Sequence, residues 1–212
     1  MKIKVCGMQR IANIDAIDAL QPDYIGFIFY PKSKRLINTA TLDYLIDADI
    51  NAQKVGVFVN QNLDDMIFTA KHYKLTAIQL HGDEPPAIAA ALKEDEIKVI
   101  KAFQIDEHFD WSALDAYYDT TDFFLFDTAS PSYGGSGKKF NWQLLKNYKL
   151  DKPYFLSGGI SPQDVDTIST INLPYLYAVD LNSKFEIEPG LKDDKAVQNF
   201  ITTIHDLSLI HI

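Results

Sequence analysis

Phe123-Phe124-Leu125-Phe126-Asp127-Thr128 is an unbroken apolar run closed by a carboxylate and a hydroxyl. A strand with one face in water alternates apolar with polar residues, whereas a strand covered on both faces reads as a continuous apolar stretch. Residues 123–126 therefore predict a strand buried on both sides, the kind found in parallel sheets. Seven further runs of this character lie at 3–6, 24–29, 54–59, 77–80, 98–103, 153–156 and 176–179.

The segments between these runs carry helical spacing. Leu63, Met66, Ile67 and Ala70 fall at i, i+3, i+4 and i+7, with Asn60 as the expected cap and Asp64 and Asp65 in the first turn. Val197, Phe200, Ile201 and Ile204 repeat the pattern near the C-terminus, and Ser161-Pro162-Gln163-Asp164 places a cap residue before a proline at the first helical position. The fifth helix, somewhere in 108–118, has the weakest signal. Eight strand-helix units predict an α/β fold, a single eight-stranded parallel β/α (TIM) barrel spanning residues 1–212 as one domain. An open doubly wound sheet is the competitor, since strand count and length permit either.

Composition narrows the setting. With 212 residues, 47% of them hydrophobic, the chain is long enough for one substantial core. No run approaches the roughly 18 apolar residues that span a bilayer, and Met1-Lys2-Ile3-Lys4-Val5-Cys6 does not read as a secretory signal, so a cytoplasmic protein is expected. Cys6, the lone cysteine, has no internal disulfide partner and suits a reducing compartment. A formal net charge of -9 without a basic patch argues against nucleic-acid or membrane partners, and it requires local devices to hold any anionic substrate. A monomer is expected, although the apolar tail 207–212 has either its own barrel or a partner to pack on.

A barrel builds its active site at the C-terminal ends of its strands. Those ends carry Cys6-Gly7, the stretch Tyr30-Pro31-Lys32-Ser33-Lys34-Arg35, then Gln79-Leu80-His81-Gly82-Asp83-Glu84, Asp127-Thr128, Ser157-Gly158-Gly159-Ile160 and Asp180-Leu181-Asn182-Ser183. Gly158-Gly159 lets backbone N–H groups approach an anion before a helix N-terminus, and Asn182 and Ser183 add donors from the next loop. Together they form a candidate phosphate site; the plain alternative is a glycine turn.

Cys6 reads either as a small buried hydrophobe or as a base or nucleophile. A base near neutral pH needs positive potential beside the sulfur, for which Arg35 or a helix N-terminus is the candidate source. Asp127 reads either as a turn cap with Thr128 or as a general acid whose pKa is raised by apolar surroundings.

Gly134-Gly135-Ser136-Gly137-Lys138-Lys139 fails as a P-loop, because Ser132 stands where the first glycine belongs and Lys139 where Ser or Thr belongs. The 128–141 connection is expected instead to cover the site on glycine hinges. His81, Asp83 and Glu84 lack a second histidine at ligand spacing, so no metal is expected; His81 reads as a pocket or loop residue. Trp111, Trp142 and the tyrosines read as core packing.

An ordered set of motifs resembles phosphoribosylanthranilate isomerases: Lys4-Val5-Cys6-Gly7-Met8-Gln9-Arg10, Phe27 to Arg35, Ile78 to Glu84, Leu125-Phe126-Asp127-Thr128, Gly134 to Lys138, Leu156-Ser157-Gly158-Gly159-Ile160 and Val179-Asp180-Leu181-Asn182-Ser183. The resemblance implies a cofactor-free Amadori rearrangement of N-(5-phosphoribosyl)anthranilate in tryptophan biosynthesis. It implies Asp127 as general acid, Cys6 as general base, Arg35 on the anthranilate carboxylate, and Gly158, Gly159, Asn182 and Ser183 around the phosphate of this small phosphoribosyl substrate. The chain has Asn182-Ser183-Lys184 where many family members have Ser-Ser-Gly. Competing readings are a barrel epimerase or sugar isomerase, which would carry metal ligands or paired catalytic aspartates, and a phospholigand-binding barrel without catalysis.

Overall fold

The computed structural model describes residues 1–129, 137 and 139–210, with side chains to residue 206. Eight strands, β1 (Lys2–Cys6), β2 (Tyr24–Ile28), β3 (Gln53–Phe58), β4 (Ala77–Leu80), β5 (Lys98–Ile105), β6 (Phe123–Thr128), β7 (Tyr154–Leu156) and β8 (Leu176–Leu181), form a closed parallel barrel in sequence order. β8 returns to pair with β1, which decides for the barrel over the open sheet.

The apolar runs are continuous because each strand has two dry faces. In β6, Phe124 and Phe126 point outward to pack with Leu145 and Tyr148, while Leu125 joins Tyr24, Val55, Ile100, Phe155 and Ala178 inside the barrel. Side chains alternate along a strand, so Asp127 shares the inward face of Leu125. The same rule turns Lys4, between the outward Ile3 and Val5, and Cys6, after Val5, inward, and Asp180 inward between Val179 and Leu181.

The helices α1 (Ile11–Asp18), α2 (Thr39–Asp47), α3 (Leu63–His72), α4 (Pro86–Glu94), α5 (Val165–Thr170) and α6 (Asp194–Ile210) cover the outside. The stripe of α3 packs as its spacing requires, with Met66 and Ala70 buried. Its cap is Asn62 rather than Asn60: the Asn62 side chain accepts from the N–H groups of Asp64 and Asp65. Asn60 takes a left-handed φ of 52°, which asparagine tolerates, and its Oδ1 accepts from Asp83 N at 2.8 Å. Val197, Phe200, Ile201 and Ile204 form the buried stripe of α6.

After β5 the expected fifth helix is a 3-10 segment, Trp111–Tyr117, and another, Trp142–Asn147, follows β6. Asp110 accepts from the N–H and hydroxyl of Ser112 at 3.0 and 2.7 Å, local bonds that favour a tight turn, and Trp111 packs edge-on against Phe109 and Phe126. An element absent from the sequence reading, the hairpin of β9 (Glu186–Glu188) and β10 (Leu191–Lys192), follows β8 and turns at Gly190 with φ 83°. Residues 130–136 and 138, on which the cover reading falls, and the side chains of the tail 207–212 lie outside the described residues. No described helix is long and apolar enough to cross a membrane.

Candidate active site

A cavity of about 680 Å³ opens where the strands end, lined by Cys6, Arg35, Asp127, Gly158, Gly159, Asn182 and Ser183 together with Gln79, His81 and Asp180. All seven residues singled out from the sequence therefore face one space. The volume falls in the range of roughly 300–1,000 Å³ usual for small-molecule sites.

Cys6 ends β1 with its thiol buried and unpaired by any disulfide. Its register partner on β2 is Gly26, where a Cβ would come within 2.7 Å of the sulfur, so glycine there makes room for the thiol. Burial pushes the thiol up from its ordinary value; the Lys4 and Lys192 ammoniums oppose this, the Asp180 carboxylate adds to it, and the net direction is up. The cations that act most on the sulfur are therefore Lys4 and Lys192.

Lys4 is fully buried, and its Nζ lies 2.9 Å from Asp180 Oδ1, its cross-strand neighbour. Burial alone would lower the Lys4 ammonium, but the Asp180 carboxylate and the Cys6 sulfur hold it above its ordinary value. Burial pushes Asp180 up against the pull of Lys4, and the charge of Asp127 adds to that push.

Asp127 sits near the end of β6. Its Oδ1 accepts from Thr128 N at 2.8 Å, and its Oδ2 lies 3.3 Å from His81 Nε2. His81 Nδ1 in turn meets Gln79 Nε2 at 2.7 Å. An amide N–H donated to Nδ1 leaves the imidazole proton on Nε2, directed at the Asp127 carboxylate. Asp127 is thus surrounded by polar partners, whereas the sequence suggested an apolar setting.

Arg35 is held by Glu186 of the hairpin, its Nε 2.8 and 3.0 Å from the two carboxylate oxygens and its Nη2 2.6 Å from Oε2. This fixes the plane of the guanidinium and leaves Nη1 without a partner among the described residues. The buried Lys192 completes the cluster, with Nζ 2.6 Å from Glu186 Oε1 and 2.8 Å from Asn182 Oδ1. Burial pushes Lys192 down, against the pull of Glu186; Glu186 itself is held low, because Arg35 and Lys192 outweigh the effect of its burial.

The opposite corner is built from backbone. Gly158 and Gly159 have φ of 89° and 64°, and their N–H groups donate to no acceptor among the described residues. A Cβ on Gly158 would lie 2.3 Å from Thr128 Oγ1 and 2.7 Å from Thr128 N, so space as well as conformation demands glycine. The helix expected beyond them begins as a 3-10 turn, Pro162–Asp164, whose Asp164 carboxylate accepts from the Ser161 N–H and hydroxyl at 2.7 Å. The glycine amides are therefore free donors at this corner, at the start of that turn. Asn182 accepts from Lys192 through its carbonyl oxygen, which leaves its amide N–H groups without an acceptor among the described residues, and the exposed Lys184 lies beside Gly137 of the cavity wall without lining the cavity itself.

The family model for N-(5'-phosphoribosyl)anthranilate (PRA) isomerase matches residues 3–203. The chain belongs to this family. A relative from Parabacteroides distasonis named N-(5'-phosphoribosyl)anthranilate isomerase is 44% identical over 206 residues, covering 96% of this chain and 93% of the relative. The crystal structure of phosphoribosyl anthranilate isomerase from Thermotoga maritima is 34% identical with a TM-score of 0.84, covering 97% of this chain and 99% of that one. A further family structure, in complex with reduced 1-(o-carboxyphenylamino)-1-deoxyribulose 5-phosphate, is 31% identical with a TM-score of 0.81, covering 97% of this chain and 99% of that one.

Within the family fold, the sequence reading placed His81 at the pocket but passed over Lys4, Lys192, Glu186 and the contact between Gln79 and His81. Lys4, Gln79 and Asp180 had a visible signal: each puts a polar side chain on the inner face of an otherwise apolar strand, where an unpaired polar group is costly. Lys192 and Glu186 had none, since only the hairpin brings them to the cavity.

Proposed function

We propose that the chain converts N-(5-phosphoribosyl)anthranilate into 1-(2-carboxyphenylamino)-1-deoxyribulose 5-phosphate, the isomerisation of tryptophan biosynthesis, with Asp127 as general acid and Cys6 as general base. The observation that carries this reading is that the Cys6 thiol and the Asp127 carboxylate share a cavity with a corner of glycine amides unpartnered among the described residues and a guanidinium held ready by Glu186.

In this reading the phosphate binds at Gly158, Gly159, Asn182 and Ser183. The anthranilate carboxylate meets the Nη1 side of Arg35. Two anionic anchors then hold the ribose between acid and base, the positioning that lets acid-base catalysis act. Asp127 protonates the ring oxygen as the C1–O bond breaks, opening the sugar to an iminium ion. His81, aimed at Oδ2, stabilises the carboxylate that results.

The iminium acidifies the C2–H bond. The Cys6 thiolate takes that proton, the electron pair forms C1=C2, and the iminium nitrogen is neutralised to an enolamine that tautomerises to the ketone. Burial pushes the Cys6 thiol up, so the thiolate that acts as base forms by prior loss of the S–H proton to solvent, and the cation formed on the substrate favours that ionised form. The chain needs no metal or nucleotide for these steps. Because every participant comes from one barrel, it acts as a monomer in this reading, and the cytoplasm is its setting.

The test is turnover of N-(5-phosphoribosyl)anthranilate by the purified, folded chain without added metal or nucleotide, followed by loss of anthranilate fluorescence. Product formation is expected; a folded protein that leaves the substrate unchanged refutes the assignment.

A further inference from the structure

A thiolate deep in a barrel needs a fixed positive charge, and Arg35 is committed to Glu186. Below the sulfur lies Lys4, two residues back on the same inward face of β1 and with no exposed surface. The neighbouring interior layer is apolar, made of Tyr24, Val55, Ile100, Leu125, Phe155 and Ala178, so packing alone would favour an aliphatic side chain at this position. A buried ammonium is costly without a partner. Asp180 supplies that partner at 2.9 Å and is itself steadied by Ser157 Oγ at 3.5 Å.

We propose that Lys4, held in place by Asp180, is the fixed cation that supports the Cys6 thiolate, a positioning residue that acts through the sulfur and not on the substrate. This rests on Cys6 as the base. In the base step the C2–H bond breaks and the S–H bond forms, while Lys4 stays an ammonium throughout and Asp180 a carboxylate.

The charges facing the sulfur come from three elements: Lys4 on β1, Asp180 on β8 and Lys192 on β10; β2 presents the uncharged Gly26. Lys192 is tied to Glu186 and Asn182, which places its charge largely within its own cluster. Burial drives the thiol up, and Lys4 is the strongest influence in the opposite direction, while Asp180 reinforces burial. The two partners of one ion pair therefore act on the thiol with opposite signs, a pattern that simple loosening of the site does not produce.

Cys6 is the sole cysteine, so the pH dependence of iodoacetamide alkylation in the full chain titrates this thiol alone. Lys4→Met should move the midpoint up by about one pH unit or more, leaving about tenfold less thiolate at neutral pH. Asp180→Asn should move it down, and Lys192→Met should raise it less than Lys4→Met does. The acid limb of kcat/KM should follow the same order. An unchanged midpoint in Lys4→Met, or a larger rise in Lys192→Met, overturns the proposal.

If Lys4→Met does not fold because Asp180 is left buried and unpaired, Asp180→Asn decides, and a midpoint that stays or rises there overturns it. Alkylation needs no turnover. A wild-type chain inactive on the substrate would refute the isomerase reading, while the thiol titration would still decide the role of Lys4.

Discussion

Gly26→Ala offers a sharp test, because it perturbs the base from a neighbouring strand without removing any catalytic group. A Cβ built on Gly26 lies 2.7 Å from Cys6 Sγ, 3.2 Å from Cys6 Cα and 3.3 Å from Cys6 Cβ. Ordinary contact between such atoms is about 3.5–4.0 Å, so the sulfur must retreat by about 1 Å. Gly26 does not have a positive φ, and the added methyl therefore costs packing and not backbone strain. Overpacking of this kind destabilises by about 1–3 kcal/mol, which a urea titration measures.

Misplacing a reacting group by about 1 Å costs on the order of 100-fold in rate, equivalent to about 2.7 kcal/mol of barrier. Arg35 and the glycine corner are untouched, so KM should hold. Steady-state kinetics on the folded variant should therefore show kcat down by about 100-fold at nearly constant KM. A kcat within about threefold of wild type would refute the claim that the position of the Cys6 sulfur governs the rate-determining step.

Arg35→Ala should act mainly on binding, raising KM by roughly 10- to 100-fold, the worth of one or two charge-assisted hydrogen bonds; an unchanged KM would remove the carboxylate contact. Glu84→Gln should destabilise by roughly 3–5 kcal/mol in urea unfolding. It leaves the buried Lys101 ammonium, whose Nζ lies 3.1 Å from Glu84, without that counter-charge and with the Gly82 and Leu80 carbonyls as its remaining acceptors, and weakens the hold on Asn60 N and Gly82 N; a loss below about 0.5 kcal/mol would show that the pair is dispensable. Because the folded Cys6 thiol titrates above its ordinary value, little thiolate exists at neutral pH and its fraction grows as pH rises. kcat/KM should climb toward alkaline pH with its midpoint above the ordinary thiol value, and a flat profile between about pH 6 and 9 would contradict a thiolate base.

The parallel strands were legible because they are dry on both faces, from Phe123 to Phe126 through the seven companion runs, whereas closure into a barrel over an open sheet is decided by the pairing of β8 with β1. The helices were legible where an amphipathic stripe is long, as in α6, and not at Trp111–Tyr117, where local Asp110–Ser112 bonds and aromatic anchoring set a tighter turn. Asn60 and Asn62 are both good cap residues by type; the helix starts at Leu63, where the Asn62 side chain takes the first-turn N–H groups, while Asn60 takes a left-handed backbone and accepts from Asp83. In the cavity, Cys6, Asp127, Arg35 and the glycines could be placed from strand ends alone. The electrostatics could not, because which cation faces the sulfur depends on register, Lys4 opposite Asp180, and on a hairpin that carries Glu186 to Arg35. Arg35 stands near Cys6 in the strand order, but a carboxylate distant in sequence holds its guanidinium.

The central claim is that Cys6 and Asp127 divide the proton transfers between them. Its most direct measurement is kcat for Cys6→Ala and for Asp127→Asn, alongside the affinity of each for the reduced product analogue. Each substitution should lower kcat by about 10²–10⁴-fold while analogue binding stays within a few-fold of wild type. Wild-type turnover in either variant would contradict the account and remove that residue from the chemistry.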